Sequence, residues 1–413
     1  MTQKTPAAVI WALGLTQILG YGTLYYGFSI LAPAMAADFG WPEQWIFGAL
    51  SASLLAGAIV APVAGHWADR FGAGRLMAFG SVFAALALAA SALAPTGPIF
   101  VVALIILEIA ASFVLYSTAF AAIVQIGGQG AQRSITHLTL IAGFASTLFW
   151  PLTAALHAHL EWREVYFVFA ALNLFLCLPI HIWLARLPVR TEIKSAGEDA
   201  AQPAPGVENN GRAIGRPGIF LLMLAGFAIE GFVLSSVLVH MVPLTAALGF
   251  GAAGVFVTTL FGPAQVLSRL TNMLFGGRLA QTRLSVIAAG LLPIGLGMLL
   301  LTSPMLAGGL AFVILFGLGS GLTSIVGGTL PLELFGRQGY GARLGWVSAA
   351  RQLSSSVAPF GLSMMIALGG TAAALGWLAA VGALGLLAFA AVAFMCRRPR
   401  SGRTQLAMEG GSG

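Results

Sequence analysis

Long apolar runs are the feature of this sequence that most limits its fold. Residues 46–63, 76–94 and 284–301 contain no Asp, Glu, Lys or Arg, and each is close to the roughly 20 residues that cross a bilayer core. Only 8% of the 413 residues are charged, whereas about a quarter are charged in a typical soluble domain. The sequence therefore predicts an all-α polytopic membrane protein.

About twelve such runs follow one another along the chain, separated by Gly, Pro and charged residues. They lie at 7–35, 45–66, 76–94, 98–126, 135–157, 165–186, 217–246, 251–275, 284–303, 307–332, 342–369 and 371–395. The first run is too long for a signal-peptide core and lacks a strongly basic start, so we interpret it as a retained span.

The positions of the basic residues predict an orientation. The net charge of +7 is compatible with nucleic-acid binding, but basic residues between spans report membrane orientation. With this span order, Arg163 is the one Lys or Arg between spans on its side of the membrane. The pattern predicts a bacterial-type inner (plasma) membrane protein with both termini cytoplasmic. We further expect lipid contacts, no nucleic-acid partner and a monomer.

A polar stretch divides the chain into two parts. Residues between Arg186 and Pro217 are rich in Lys, Glu, Gln, Asn, Pro and Gly, and such a composition buries too little apolar surface to fold alone. The segment from Pro33 (Pro-Ala-Met-Ala-Ala-Asp-Phe-Gly) is echoed from Pro243 (Pro-Leu-Thr-Ala-Ala-Leu-Gly-Phe). We predict six-helix halves at 1–186 and 217–396, a cytoplasmic linker at 187–216 and a cytoplasmic tail at 397–413.

A charged motif follows the second span. Gly65, Asp69, Arg70 and Gly72 form G-x-x-x-D-R-F-G, and Arg75 comes soon after. With the span count, linker and repeat, this motif resembles the signature loop of the major facilitator superfamily. The resemblance implies a secondary transporter that works by alternating access. It also implies that Asp69 caps or salt-bridges an element of the other half as part of a conformational gate; a solvated turn is the alternative.

Four charged residues remain inside predicted spans: Glu108, Glu230, Arg269 and Arg351. An ionised group at mid-bilayer costs at least about 2.5–3.5 kcal/mol, so such groups usually mark a transport path or pair with one another. A guanidinium matches a carboxylate with two parallel hydrogen bonds. We therefore predict that Arg351 and Arg269 bind an anionic substrate. The alternative is a fixed ion pair, for example between Glu230 and Arg351.

Three residues are candidate proton carriers. A buried carboxyl near an arginine changes protonation with its surroundings, which makes Glu108 and Glu230 candidates for coupling to substrate. His240 is the third, because an ordinary pKa near about 6.5 suits a proton switch. A hydrogen-bonded packing histidine is the alternative for His240.

Amphipathic side chains recur on one face of the first span. Gln17, Tyr21 and Tyr25 are spaced every four residues, and the fourth span adds Tyr116. Such side chains can line a pocket and hydrogen-bond a substrate, so we predict that they bind it. Ordinary packing between helices is the alternative.

The predicted cargo is a small organic anion. Arg269 in span eight, the Gly-bounded turn after it and the basic residue in span eleven resemble the monocarboxylate and oxalate/formate porters, which implies proton- or exchange-coupled transport. The alternative is an efflux pump for drugs or other toxic solutes such as metalloids. The sequence contains no H-E-x-x-H, Walker or G-x-S-x-G motif and no Cys/His cluster, so we predict no enzyme activity, cofactor or metal.

Overall fold

A computed structural model describes residues 5–127, 130–188, 217–276 and 279–397. Over these residues the chain forms helices and no strands. Ten helices are long and apolar enough to cross a membrane. Gly370, with φ 78° and ψ 170°, divides the last of them into two helices, and two shorter consecutive helices between residues 252 and 275 complete another crossing. The prediction of an all-α fold with about twelve spans is confirmed.

We number the spans α1 to α12 in chain order. They are α1 Ala7–Phe39, α2 Glu43–Phe71, α3 Ala73–Leu93, α4 Gly97–Gly127, α5 Ala131–His157 and α6 Trp162–Ala185, followed by α7 Pro217–Ala247, α8 Ala252–Thr259 with Phe261–Phe275, α9 Gln281–Thr302, α10 Leu306–Phe335, α11 340–369 and α12 371–397.

Besides the break in α8 and a π-helical turn at Asn173–Cys177 in α6, irregular backbone occurs in α1 and α4. In α1, Gly22–Tyr26 forms a π-helical turn, in which the N–H of Gly27 donates to the carbonyl of Gly22. In α4, Leu115 is extended at φ −82° and ψ −169°, and the helix resumes at Tyr116. π-Bulges inside helices occur frequently at functional sites, and both irregularities here adjoin tyrosines.

The helices pack as two bundles. One cluster of buried apolar side chains, including Phe100 and Phe169, comes from α1–α6 alone. Two others, which include Phe316 and Phe389, come from α7–α12 alone. A fourth combines side chains of α1–α6 with Leu332, Tyr340 and Leu344 of α10 and α11. The apolar clusters of the two bundles therefore meet near the α10–α11 connection.

That end of the molecule carries exposed arginines, among them Arg70, Arg75 and Arg186, and we call it the basic face. Arg163 lies at the other end, the opposite face, where its guanidinium pairs with Asp38 at 2.8 Å. α6 ends at Ala185 and α7 begins at Pro217. Residues 189–216 and 398–413 lie outside the described residues, so the predicted linker and tail stay predictions.

Candidate functional site

Polar side chains from both bundles lie along the inner parts of their spans, and we call them the central cluster. Its members are Tyr21, Tyr26, Glu108, Tyr116, Glu230, Arg269, Arg351 and Gln352. Tyr21 and Tyr116 hold α1 to α4, with ring centroids 4.7 Å apart. The charges of the two arginines act across the bundle boundary on Tyr116. The sequence predicted six of these eight residues as site residues.

Arg269 of α8 is 6% exposed, and its guanidinium crosses towards the first bundle. Its Nε donates to Ser324 Oγ at 3.2 Å. Its Nη1 lies against Gly143 of α5, where an added Cβ would be only 2.1 Å away. Within the described part of the chain, this Nη1 has no hydrogen-bond partner. A buried donor left unpaired costs about 1–3 kcal/mol, so a further hydrogen-bond acceptor beside this Nη1 would lower the free energy.

Arg351 of α11 lies between α7 and α10. A Cβ on Gly327 would be 3.4 Å from the Arg351 Nη1, and a Cβ on Gly231 would be 2.9 Å from the Arg351 carbonyl oxygen. The guanidinium is partly exposed and acts electrostatically on Tyr21 and Glu230. Gly327 of α10 thus leaves room for this long side chain, whereas Gly231 of α7 lets the backbone of α11 approach closely.

The two buried glutamates have neutral partners. Glu230 Oε1 accepts a hydrogen bond from Thr323 at 3.4 Å, and its Oε2 has no partner among the residues described. Glu108 Oε1 accepts one from Gln352 of the other bundle, also at 3.4 Å. Across the described ranges, the one ion pair within 4.0 Å is that of Arg163 with Asp38. Neither glutamate is therefore closed into an ion pair with Arg269 or Arg351.

The π turn in α1 changes which tyrosines share a face. Tyr21 lies 6.3 Å from Tyr26, five residues on, and Tyr26 packs edge-on against Trp150 at 5.9 Å. Tyr25 is 45% exposed and lies within electrostatic range of Glu108. The sequence prediction assumed regular α-helical spacing, which a π turn does not keep.

Gln17 and His240 are held by neighbouring helices. Gln17 lies one turn before Tyr21 in α1, whereas His240 lies about 15 Å beyond Glu230 along α7. Gln17 is fully buried, and its Nε2 donates to the Val114 carbonyl at 2.8 Å, just before the break in α4. The His240 ring bonds to the Ser236 carbonyl at 3.0 Å through Nδ1 and to Ser363 Oγ at 2.8 Å through Nε2. The His240 ring therefore links α7 to α11.

The motif after α2 meets α11 at the basic face. Asp69 accepts the backbone N–H groups of Gly341 and Ala342 at 2.9 and 2.8 Å. These are first-turn donors without a partner in their own helix, and a carboxylate is favoured at a helix N-terminus. A Cβ on Gly65 would lie 2.1 Å from the Gly341 carbonyl oxygen. Gly65 therefore permits the close approach of the two bundles.

The rest of the motif shapes the α2–α3 connection. Gly72 has φ 92°, in the left-handed region that favours glycine, and it separates α2 from α3. Arg70 stacks on Phe71, with 5.3 Å from its guanidinium carbon to the ring centroid, and Arg75 is exposed in the first turn of α3. Arg337 adds a second contact between the bundles by donating to the Val124 carbonyl at 2.6 Å.

Sequence reasoning missed the neutral partners of the charged groups. Thr323 and Ser324 are adjacent in α10 and serve Glu230 and Arg269, and Gln352 directly follows Arg351. Uncharged polar residues are common in membrane spans because Ser and Thr also bond their own backbone. The sequence offered one indication of these partners, which is their position: Gln352 is next to a charged residue, and Thr323 and Ser324 lie in a glycine-rich span.

Comparison with known proteins finds one family and several similar folds. The family model described as Major Facilitator Superfamily matches residues 13–359. The human organic anion transporter MFSD10 (TETRAN) has a TM-score of 0.67 at 15% identity, covering 92% of this chain and 98% of that one. The proton:xylose symporter XylE gives 0.66 at 16%, covering 92% and 95%. FucP in the outward conformation gives 0.68 at 12%, covering 94% and 97%. The sequence has no significant match among curated proteins.

Proposed function

Because this chain belongs to the Major Facilitator Superfamily, we propose that it is a secondary transporter whose cargo is a small, monocarboxylate-like organic anion. The family and fold support secondary transport rather than enzyme activity. The nature of the cargo is inferred from the central cluster. A binding site near mid-membrane at the interface of two halves is the usual arrangement in such transporters.

The observation that carries the proposal is that neither arginine of the central cluster has a charge partner among the residues that the structure describes. Arg269 and Arg351 come from the second bundle and act on tyrosines of the first, yet neither has a carboxylate within 4.0 Å in the described residues. A positive charge in this environment is costly unless something negative joins it. An organic anion between the two guanidinium groups would supply that charge, with tyrosine hydroxyls as further donors.

Glu230 and Glu108 are the proposed proton sites. Glu230 lies within electrostatic range of Arg351, and Glu108 accepts a hydrogen bond from Gln352, the residue after Arg351. Proton binding and anion binding can therefore influence one another. His240 is a third proposed proton site at the α7–α11 contact. Proton coupling or anion exchange would then drive transport, with protons as the second transported species.

Closure of the basic face is the proposed gate. Gly65, Asp69, Arg70, Gly72 and Arg75 form the connection that holds α11, and Arg337 reinforces it. Basic residues favour the cytoplasmic side, so the proposed membrane is a bacterial-type plasma membrane with this face inside. The contacts described here then correspond to a state closed towards the cytoplasm.

A second candidate function is efflux of a hydrophobic or toxic solute. The aromatic part of the site favours efflux. A continuous set of ring contacts joins five aromatic residues: Trp150, Tyr26, Tyr21, Tyr116 and Phe120. In that case the rings would bind the solute and the arginines would be structural.

Ligand-induced thermal stabilisation of purified protein separates the two candidates, because a bound ligand raises the stability of the native state. The screen includes simple monocarboxylates, the matching neutral amides, and hydrophobic cations. We expect stabilisation by carboxylates and not by amides. Arg351→Gln and Arg269→Gln should each lower the affinity for carboxylates by about tenfold or more, because a charge-assisted hydrogen bond contributes about 1.5–3 kcal/mol.

Arg133→Gln is the matched control, since Arg133 is exposed at the start of α5 and its loss removes the same charge outside the central cluster. It should bind carboxylates like the unaltered protein. Stabilisation by hydrophobic cations that persists in Arg351→Gln would contradict anion transport and support efflux.

A further inference from the structure

A recess of about 870 Å³ opens on the basic face, away from the central cluster, where the ends of α2, α3, α4 and α6 meet. Three arginines line it: Arg70, Arg75 and Arg186. Its inner part is formed where Gly74 of α3 approaches Ala185 of α6, so closely that a Cβ on Gly74 would lie 2.8 Å from the Ala185 Cα. We call this the basic recess.

The positive charge of the basic recess is not balanced by its lining. None of the three arginines has a carboxylate within 4.0 Å among the residues described. Asp69 is the acidic residue of the lining, and both its oxygens are engaged by backbone N–H groups of α11. Basic residues on this face are expected from membrane orientation, but orientation does not require three of them around one recess.

The equivalent place in the second bundle is built differently. At the start of α9, Glu333 Oε2 accepts the N–H of Gln281 at 2.8 Å. At the start of α3, the same backbone position, Ala73, donates instead to the neutral amide oxygen of Gln125 at 2.9 Å. Each helix has an arginine two residues further on, Arg75 in α3 and Arg283 in α9.

This difference leaves the start of α3 electrostatically incomplete. The N-terminus of a helix carries a partial positive charge and favours anions, so an arginine in the first turn is unfavourable by itself. Glu333 offsets that charge in α9, whereas α3 has no acidic residue in its first turn and has Gln125 in place of the carboxylate. An external anion would supply what the first bundle lacks.

We propose that the basic recess binds a phosphate group, supplied by the headgroup of an anionic phospholipid. Arginine guanidinium groups match phosphate oxygens with paired hydrogen bonds, and basic pockets between spans at the cytoplasmic side bind anionic headgroups. The lining also exposes apolar surface at Phe71 and Ile182, which are 50% and 39% exposed. Acyl chains have a surface to follow there, which favours a phospholipid over free phosphate.

Native mass spectrometry of the full chain in neutral detergent tests this, with phosphatidylglycerol and phosphatidylcholine of identical acyl chains as probes. We expect retention of phosphatidylglycerol in preference to phosphatidylcholine. The Arg75→Gln/Arg186→Gln variant should weaken phosphatidylglycerol binding by about fivefold for each arginine, given about 1 kcal/mol per basic residue near an anionic surface. Gln125→Glu should also weaken it, because it introduces the carboxylate that the second bundle has.

Arg283→Gln is the matched control, with the same helical position and charge loss but in the bundle that Glu333 balances. It should retain the unaltered protein's preference. Displacement of phosphatidylglycerol by inorganic phosphate would identify the phosphate as the recognised group, and failure of phosphate to compete would assign recognition to the whole lipid. Equal retention of the two lipids by the unaltered protein, or an equal loss in Arg283→Gln and Arg75→Gln/Arg186→Gln, would overturn the proposal.

Discussion

Gly143 of α5 leaves the space into which the Arg269 guanidinium extends. A Cβ there would lie 2.1 Å from Nη1, so Gly143→Ala should displace the guanidinium without removing its charge. If Arg269 binds the anion, affinity should fall by about tenfold, which corresponds to ~1.4 kcal/mol, within the range of one charge-assisted hydrogen bond. Carboxylate titration by thermal stabilisation measures the change.

Gly262→Ala is the control for that substitution. Gly262 belongs to the same helix as Arg269, and a Cβ there would have no neighbour within 4 Å. Alanine should therefore leave carboxylate affinity unchanged and increase stability by up to about 1 kcal/mol, because glycine is the poorer helix former. Equal affinities in the two alanine variants would show that Gly143 does not position Arg269.

Glu230 offers a separate test of proton coupling. Glu230→Gln keeps the side-chain size and an oxygen for Thr323 but removes the group that can take up a proton. We expect carboxylate binding to persist, while uptake into proteoliposomes no longer responds to an imposed pH gradient. Glu108→Gln, tested in parallel, identifies which of the two carboxyls is used. A full response to the pH gradient in both variants would exclude these two glutamates.

The charged members of the central cluster were predictable from the sequence because ionised groups inside an apolar span are costly and need a reason. Arg351 and Glu230 stand out for that reason alone. Their neutral partners do not, since a residue such as Thr323 is unremarkable in a membrane helix. Tyr26 replaces Tyr25 beside Tyr21 because of a π turn, and helical periodicity carries no signal for an inserted residue.

At the scale of helices, apolar length predicted nearly every span, because a span must satisfy its backbone hydrogen bonds internally over the full bilayer thickness. The division at Gly370 was also predictable, since a glycine between two long apolar runs can adopt the φ of 78° found there. The break in α8 at Leu260 also has a signal, which the sequence analysis did not use: Pro263 lacks the N–H that would bond to the Thr259 carbonyl, and its ring crowds that carbonyl.

The cap that Asp69 places on α11 gives an element-scale prediction. Asp69→Ala removes the acceptor for two first-turn N–H groups, and loss of a helix cap costs about 1 kcal/mol. Hydrogen exchange at Gly341 and Ala342 should therefore accelerate about fivefold. Asp38→Ala is the control: it breaks an ion pair within the first bundle, at the opposite face, and should leave exchange in α11 unchanged. Equal acceleration in both variants would contradict a specific role of the cap.

At the scale of the whole molecule, the sequence predicted two halves and a contact between them at Asp69, but not whether the structure would show that contact made or broken. The repeat, the polar stretch and the charge pattern all report how the chain is divided. The contact between α2 and α11 forms where Gly65, Asp69 and Gly341 meet. An alternating-access transporter has at least two conformations, and the same sequence is compatible with each of them. The structure presents the arrangement in which the basic face is closed.

Rocking of the two bundles predicts which buried residues become accessible when the basic face opens. Leu344 is 2% exposed in the cluster shared by both bundles, whereas Leu378 is fully buried within the second bundle alone. In a Cys177→Ser/Cys396→Ser background, Leu344→Cys should react with a thiol reagent faster when Asp69→Ala is added, because loss of the cap favours the open arrangement. Leu378→Cys should stay protected in both cases, since each bundle moves as a unit. Reaction of both cysteines at similar rates would instead indicate local unfolding of α7–α12, and protection of both would show that the basic face does not open.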